Sequence, residues 1–222
     1  NIPLIEDAAG ALGSKYNGYP AGGIGDAGII SFNGNKLVTA GGGGMIVTNN
    51  KDWANKALKL STQSRIGTRY HHDDVGYNFR LTNVCAAIGV AQVERLDEMI
   101  ALRKKIALRY DAAIKGRKDL RPPKIGKSVN WNAWMYSLQT ATAKDADKLV
   151  EHLNTNKIGA RHFWSNLSGQ KPYSNYPKKL FGNSTTLSDT LVSLPCSSNL
   201  LSADVSTVID TISLWEGKTH FS

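Results

Sequence analysis

Short apolar runs, each ending on polar residues and each set apart by turn or helix signals, constrain this chain more than any other feature. Pro3-Leu4-Ile5 reads as the end of a buried strand running into Glu6-Asp7, and Gly28-Ile29-Ile30-Ser31-Phe32 as a second strand. Between them small residues predict a helix start, followed by glycine-rich turns around Tyr19-Pro20. Met45-Ile46-Val47-Thr48 is a third strand after a run of glycines, and an Asn49-Asn50 turn leads into a helix over residues 52–60. A long helical stretch over 82–113 opens with Ala86, Ala87, Gly89 and Ala91, small enough for close packing. Strands alternating with helices define the α/β class.

Near Gly116 the character changes. Arg121-Pro122-Pro123 stops the helix, and a second alternation begins. It comprises a strand at Tyr136-Ser137-Leu138-Gln139-Thr140, a helix over 144–154, a strand over 158–163, a Ser-, Asn-, Lys- and Tyr-rich loop over 165–186 and a last helix over 202–216. Two domains are expected, residues 1–116 and 117–222. A chain that opens directly on a strand has the pattern of a continuation of something longer.

With 222 residues, 41% hydrophobic and 20% charged, the composition is that of a globular protein rather than a disordered one. No apolar run reaches the length of a membrane-spanning helix and no signal peptide is visible, so a cytoplasmic protein with reduced Cys85 and Cys196 is expected. The net charge is +9, and residues 101–127 carry most of it: Arg103, Lys104, Lys105, Arg109, Lys115, Arg117, Lys118, Arg121, Lys124 and Lys127 against Asp111 and Asp119. Met99, Leu102, Ile106, Tyr110 and Ala113 recur at helical spacing, which makes the charges the solvated face of an amphipathic helix. An anion or nucleic-acid binder working through 101–127 is the competing reading, and no nucleic-acid recognition motif accompanies the patch.

Gly23-Ile24-Gly25-Asp26-Ala27-Gly28 has the spacing of a dinucleotide fingerprint, but its strand follows instead of preceding, so a loop is expected. Gly41 to Gly44 lack the Lys-Ser/Thr of a phosphate-binding P-loop and read as a turn with close backbone approach. His71-His72-Asp73-Asp74 are adjacent, whereas metal sites use spaced ligands; a surface loop and no metal are expected. The informative set is Asp7, Ser31 and Lys36. Asp7 and Ser31 stand at carboxyl ends of strands, where open α/β sheets place their sites, and Lys36 follows in the loop Asn33-Gly34-Asn35-Lys36. A carboxylate, a hydroxyl and an amine there suit pyridoxal phosphate: the acid keeps the pyridine nitrogen protonated and the amine forms the Schiff base.

Ile5-Glu6-Asp7-Ala8-Ala9, Leu12-Gly13-Ser14, the run from Gly25 to Lys36, and Gly41 to Val47 resemble the central block of the DegT/DnrJ/EryC1/StrS aminotransferases. Val75-Gly76-Tyr77-Asn78-Phe79-Arg80-Leu81, with Ala86-Ala87-Ile88-Gly89 and Gln92, resembles that family's next block, and Leu194-Pro195 its ending. The resemblance implies a pyridoxal-phosphate transferase of fold type I, aspartate aminotransferase-like, with part of the large domain in 1–116 and the small α/β domain in 117–222. It implies amination of a nucleotide-linked 4-keto-6-deoxy sugar for bacterial surface glycans, with glutamate as donor. Asp7 is similar to the acid at the pyridine nitrogen, Ser31 to a phosphate ligand and Lys36 to the Schiff-base lysine; relatives with His in that place are dehydratases. Asn78 resembles the residue that reaches the neighbouring subunit's cofactor, which implies a homodimer. Gly10 stands where the family carries Gln, His or Glu. Family members have roughly 150 further residues ahead of this block, a shortfall the size of a domain; the rival expectation is therefore a non-catalytic truncated module that keeps the fold.

Overall fold

The computed structural model describes residues 2–179 and 182–221, which form two compact units: residues 2–101 with 125–134, and residues 102–124 with 135–179 and 182–221. The loop expected over 165–186 includes Leu180 and Phe181, which lie outside the described residues. Among the described residues no helix is long and apolar enough to cross a membrane.

In the first unit, β1 (Ile5–Asp7) pairs in parallel with β4 (Ala27–Ser31), and β4 pairs antiparallel with β5 (Gly44–Val47). The register sets Asp7 opposite Ile29, so Asp7 and Ser31 share a sheet face at the carboxyl ends of two parallel strands. Ile30 and Phe32 face the other way, into a core with Val38 and Ala40 backed by Leu12, Val47, Leu81, Cys85 and Leu96. The first strand is not the buried strand expected: Ile5 is 63% exposed and Ile46, on the same face, 55%.

The helix start expected from the small residues between the first two strands is a pair of turns, Ala11 N–H to Ala8 O and Ser14 N–H to Ala11 O, with Gly13 at φ 81°. A hairpin follows: β2 (Lys15–Tyr16) and β3 (Tyr19–Pro20) flank Asn17-Gly18, both at positive φ, the backbone twist tight hairpins require. A later segment returns to this unit, where β9 (Val129–Asn130) pairs with β2. Helix α1 (Lys51–Ser61) starts at Asn50, whose side chain accepts from the Asp52 and Trp53 amides. The hairpin of β6 (Arg65–Ile66) and β7 (His71–His72) carries the His-His-Asp-Asp run; Asp73 pairs with Lys59 at 2.7 Å and His72 Nδ1 bonds Gln63 O. The long helix expected over 82–113 is two helices, α2 (Asn83–Val93), capped by Thr82, and α3 (Leu96–Ile114), which opens beside an Arg95–Glu98 ion pair.

In the second unit, β8 (Leu120–Arg121), β10 (Tyr136–Thr140), β11 (Arg161–His162) and β12 (Leu191–Leu194) form one antiparallel sheet in the order β11-β12-β10-β8. It is covered by α4 (Ala143–Thr155) and α5 (Asn183–Thr190), and α6 (Ser202–Ser213) packs on α4. The strand expected over 158–163 shrinks to two residues because the Asn154 side chain bonds both the N–H and C=O of Ala160, while Lys157 sits at φ 62°. Arginines from the basic segment fasten this unit. Arg103 donates to Cys196 O, Arg109 to Ser202 and Ser206, and Arg117 to Asp119, Ile212 O and Trp215 O. The expectation that these charges decorate a solvated face is thus corrected for those three residues; Arg103 is 9% exposed.

Candidate active site

A narrow hollow in the first unit is lined by Ala9, Gly10, Leu12, Ser31, Lys36, Leu37, Val38 and Asn132. Its floor is the carboxyl end of β4. Beyond Ser31, whose hydroxyl accepts from the Asn33 amide at 3.3 Å, the chain turns through Lys36 N–H to Asn33 O at 3.0 Å. That turn brings Lys36 back beside Ser31, and Leu37 and Val38 anchor its far side in the core. Asp7, exposed at the end of β1, accepts the Ala9 amide through Oδ1 at 3.1 Å. Asp7 thus lies on Ser31's face of the sheet, and Ser31 and Lys36 share the hollow. Asn78 is not among the lining residues; it is exposed and bridges to Thr62.

The glycine loop is already occupied by the protein itself. Gly22, Ile24 and Gly25 donate their amides to the Glu6 carboxylate at 2.8, 2.6 and 2.6 Å. These bonds, Gly25 first, then Gly22 and Ile24, outweigh burial and hold the Glu6 carboxyl below the usual carboxylate range. The fingerprint spacing therefore serves an internal anion, and Gly28 is required because a Cβ there would collide with Gly22 O. Among the described residues no cluster of His, Cys, Asp and Glu could hold a metal ion.

Two residues that sequence reasoning passed over complete the site. Asn132, 4% exposed, donates Nδ2 to Gly10 O and Leu12 O, each at 2.9 Å, and accepts the Trp134 amide at 3.0 Å. Trp134 lays its ring 4.0 Å from Lys36 Nζ and donates Nε1 to Asn35 O at 2.7 Å. Neither carries a motif; they belong to the site only because residues 125–134 return to the first unit. Chemically, a carboxylate, a hydroxyl and an amine held against an aromatic face fit a phosphorylated pyridine aldehyde, the amine being the one nucleophile of the set that condenses with a carbonyl.

The fold is shared with solved aminotransferases. The solved aminotransferase TlmJ from Streptoalloteichus hindustanus matches with a TM-score of 0.88 at 27% identity, covering 95% of this chain and 57% of that one. The chain belongs to the DegT/DnrJ/EryC1/StrS aminotransferase family, whose profile matches residues 1–213. It is similar to a GDP-perosamine synthase of Escherichia coli O157:H7, 41% identical over 162 residues, which is 72% of this chain and 44% of the relative. It is similar also to a GDP-perosamine synthase of Caulobacter vibrioides, 33% identical over 214 residues, 94% of this chain and 57% of the relative. The chain thus spans about half the length of the curated relatives it matches.

Proposed function

We propose that this chain carries the lysine-bearing part of a pyridoxal-phosphate aminotransferase that converts the 4-keto group of a nucleotide-linked 6-deoxy sugar into an amine. The carrying observation is that Ser31 and Lys36 line one hollow at the carboxyl edge of the β1–β4 pair, with Asp7 on the same face. Relatives support the reading by name: the GDP-perosamine synthases, and EpsN of Bacillus subtilis, 39% identical over 171 residues, which carries pyridoxal phosphate dependence in its name. A UDP-4-amino-4,6-dideoxy-N-acetyl-beta-L-altrosamine transaminase of Campylobacter jejuni is 40% identical over 114 residues.

When bound, pyridoxal phosphate supplies the electron sink and carries the amino group from donor to acceptor. The chain's residues do the rest. The Asp7 carboxylate would hold the proton on the pyridine nitrogen, and the Ser31 hydroxyl would donate to the phosphate. Lys36 would hold the cofactor through its Nζ, and as a free amine would carry the proton to and from the sugar carbon that gains nitrogen. Glutamate is the expected donor. Asn78, away from the hollow, serves the phosphate of a second copy, which makes the assembly a homodimer. The first unit, residues up to 101 with 125–134, is part of the cofactor domain and the second the small domain; the chain passes to the second unit at residue 102, ahead of the expected boundary at 116. Free thiols and a nucleotide-linked substrate suit the cytoplasm.

The test is borohydride reduction of the protein in the presence of pyridoxal phosphate, followed by peptide mass mapping. The pyridoxyl group is expected on Lys36 and is lost in Lys36→Ala; an adduct on another lysine, unchanged in that variant, refutes the assignment.

A further inference from the structure

We propose that Trp134 is the positioning residue for the Lys36 amine and that position 10 is glycine to admit its indole; this rests on the reading of Lys36 as the cofactor-bearing residue. Three independent contacts converge on the indole. Its face lies 4.0 Å from Lys36 Nζ, within the range of cation–π attraction. Its N–H is bonded to Asn35 O, so the ring is pinned to the same loop that carries the lysine. Its edge fills the space over Gly10: a Cβ there would meet Trp134 Cζ3 at 2.6 Å and Cε3 at 2.8 Å.

The backbone is strained to deliver that ring. Ala133, fully buried, sits at φ 52°, a left-handed conformation that a residue with a Cβ adopts only when its surroundings impose it. The imposing contacts are those of Asn132, which ties the segment to Gly10 and Leu12 and holds the Trp134 amide. A lysine stem has four rotatable bonds, and an amine that must meet an aldehyde carbon repeatedly gains from a fixed resting place. Trp134 supplies that place without donating or accepting a proton.

Two readouts test this. Reductive methylation with carbon-13 formaldehyde reports Lys36 without any cofactor: its dimethylamino resonance is expected upfield of the other lysines through the indole ring current, returning to their position in Trp134→Leu and only partly in Trp134→Phe. Trapping with pyridoxal phosphate and borohydride is expected to label Lys36 on the order of tenfold more slowly in Trp134→Leu, with Trp134→Phe restoring most of the rate. Gly10→Gln should mimic Trp134→Leu but add nothing to it in the double variant, because the collision partner is gone. Lys36 labelled equally fast in Trp134→Leu and wild type overturns the inference alone. A wild-type adduct on another lysine overturns the cofactor reading and takes the inference with it. If Trp134→Leu does not fold, Gly10→Gln against Gly10→Gln with Trp134→Phe decides the same question.

Discussion

Asn132→Ala perturbs the site while leaving Asp7, Ser31 and Lys36 in place. The side chain makes three hydrogen bonds, to Gly10 O, Leu12 O and the Trp134 amide, in a residue only 4% exposed. A buried hydrogen bond contributes roughly 1 kcal/mol net, and groups left unsatisfied cost more, so the expected loss is about 3 kcal/mol. Asn132→Asp sharpens the argument. A carboxylate can still accept the Trp134 amide but faces two carbonyl oxygens with no proton to donate, so it should be worse than alanine at neutral pH. Its carboxyl is then favoured in the neutral form in the folded state, and the penalty should grow as pH rises above about 4, the unfolded value. Urea denaturation of wild type and both variants at pH 4 and pH 8, with hydrogen exchange at the Ser14 and Trp134 amides, measures this. Asn132→Ala within 0.5 kcal/mol of wild type, or Asn132→Asp equally stable at both pH values, refutes the tether.

Arg117→Met should destabilise the second unit by about 3 kcal/mol or more in denaturant titration, because it takes the guanidinium from Asp119, 6% exposed, and leaves the Gly217 amide to hold that carboxylate. Removing both charges, Arg117→Met with Asp119→Leu, should cost less than the single change. On acidification, the second unit should lose stability as pH falls below about 4. Burial opposes the charge of Asp119, but the Arg117 bonds and the Gly217 amide outweigh it; for Asp145, burial is outweighed by the Thr142 and Thr219 hydroxyls and the Lys218 amide. Both carboxyls are thus depressed, so their contribution is present above the unfolded value and disappears as each protonates. Denaturation midpoints between pH 2 and 6 that are as steep in Asp119→Asn with Asp145→Asn as in wild type would refute this.

Much of the first unit is written locally. Apolar runs bounded by glycine and Asn-Asn identify β4, β5 and α1, and the carboxyl ends of β1 and β4 follow from them. The errors have local causes too. The small residues after β1 have helix-like composition, but Asn132 takes Gly10 O and Leu12 O, and Gly13 lies where a Cβ would collide with Ile100 Cδ1, so packing overrides propensity. The break between α2 and α3 falls at Glu94-Arg95, where no glycine or proline marks it. Trp134 was beyond local reading altogether: its role needs β9 to pair with β2, more than a hundred residues earlier in the chain.

The basic segment shows how far charge alone can mislead. Its arginines are the residues drawn into structure: a planar fork with five donors can satisfy several carbonyls at once, as Arg117 does at Ile212, Trp215 and Asp119. Even Arg121 lies 3.8 Å over the Phe221 ring. Lys105, Lys115, Lys118, Lys124 and Lys127 stay exposed, where an ammonium on a flexible stem keeps its hydration at no cost to packing. The exposed field of the segment is therefore smaller than the sequence count, and what looked like one patch is two populations: arginines that bind α3 and its neighbours to Cys196, just beyond β12, and to α6, and lysines that solvate the surface.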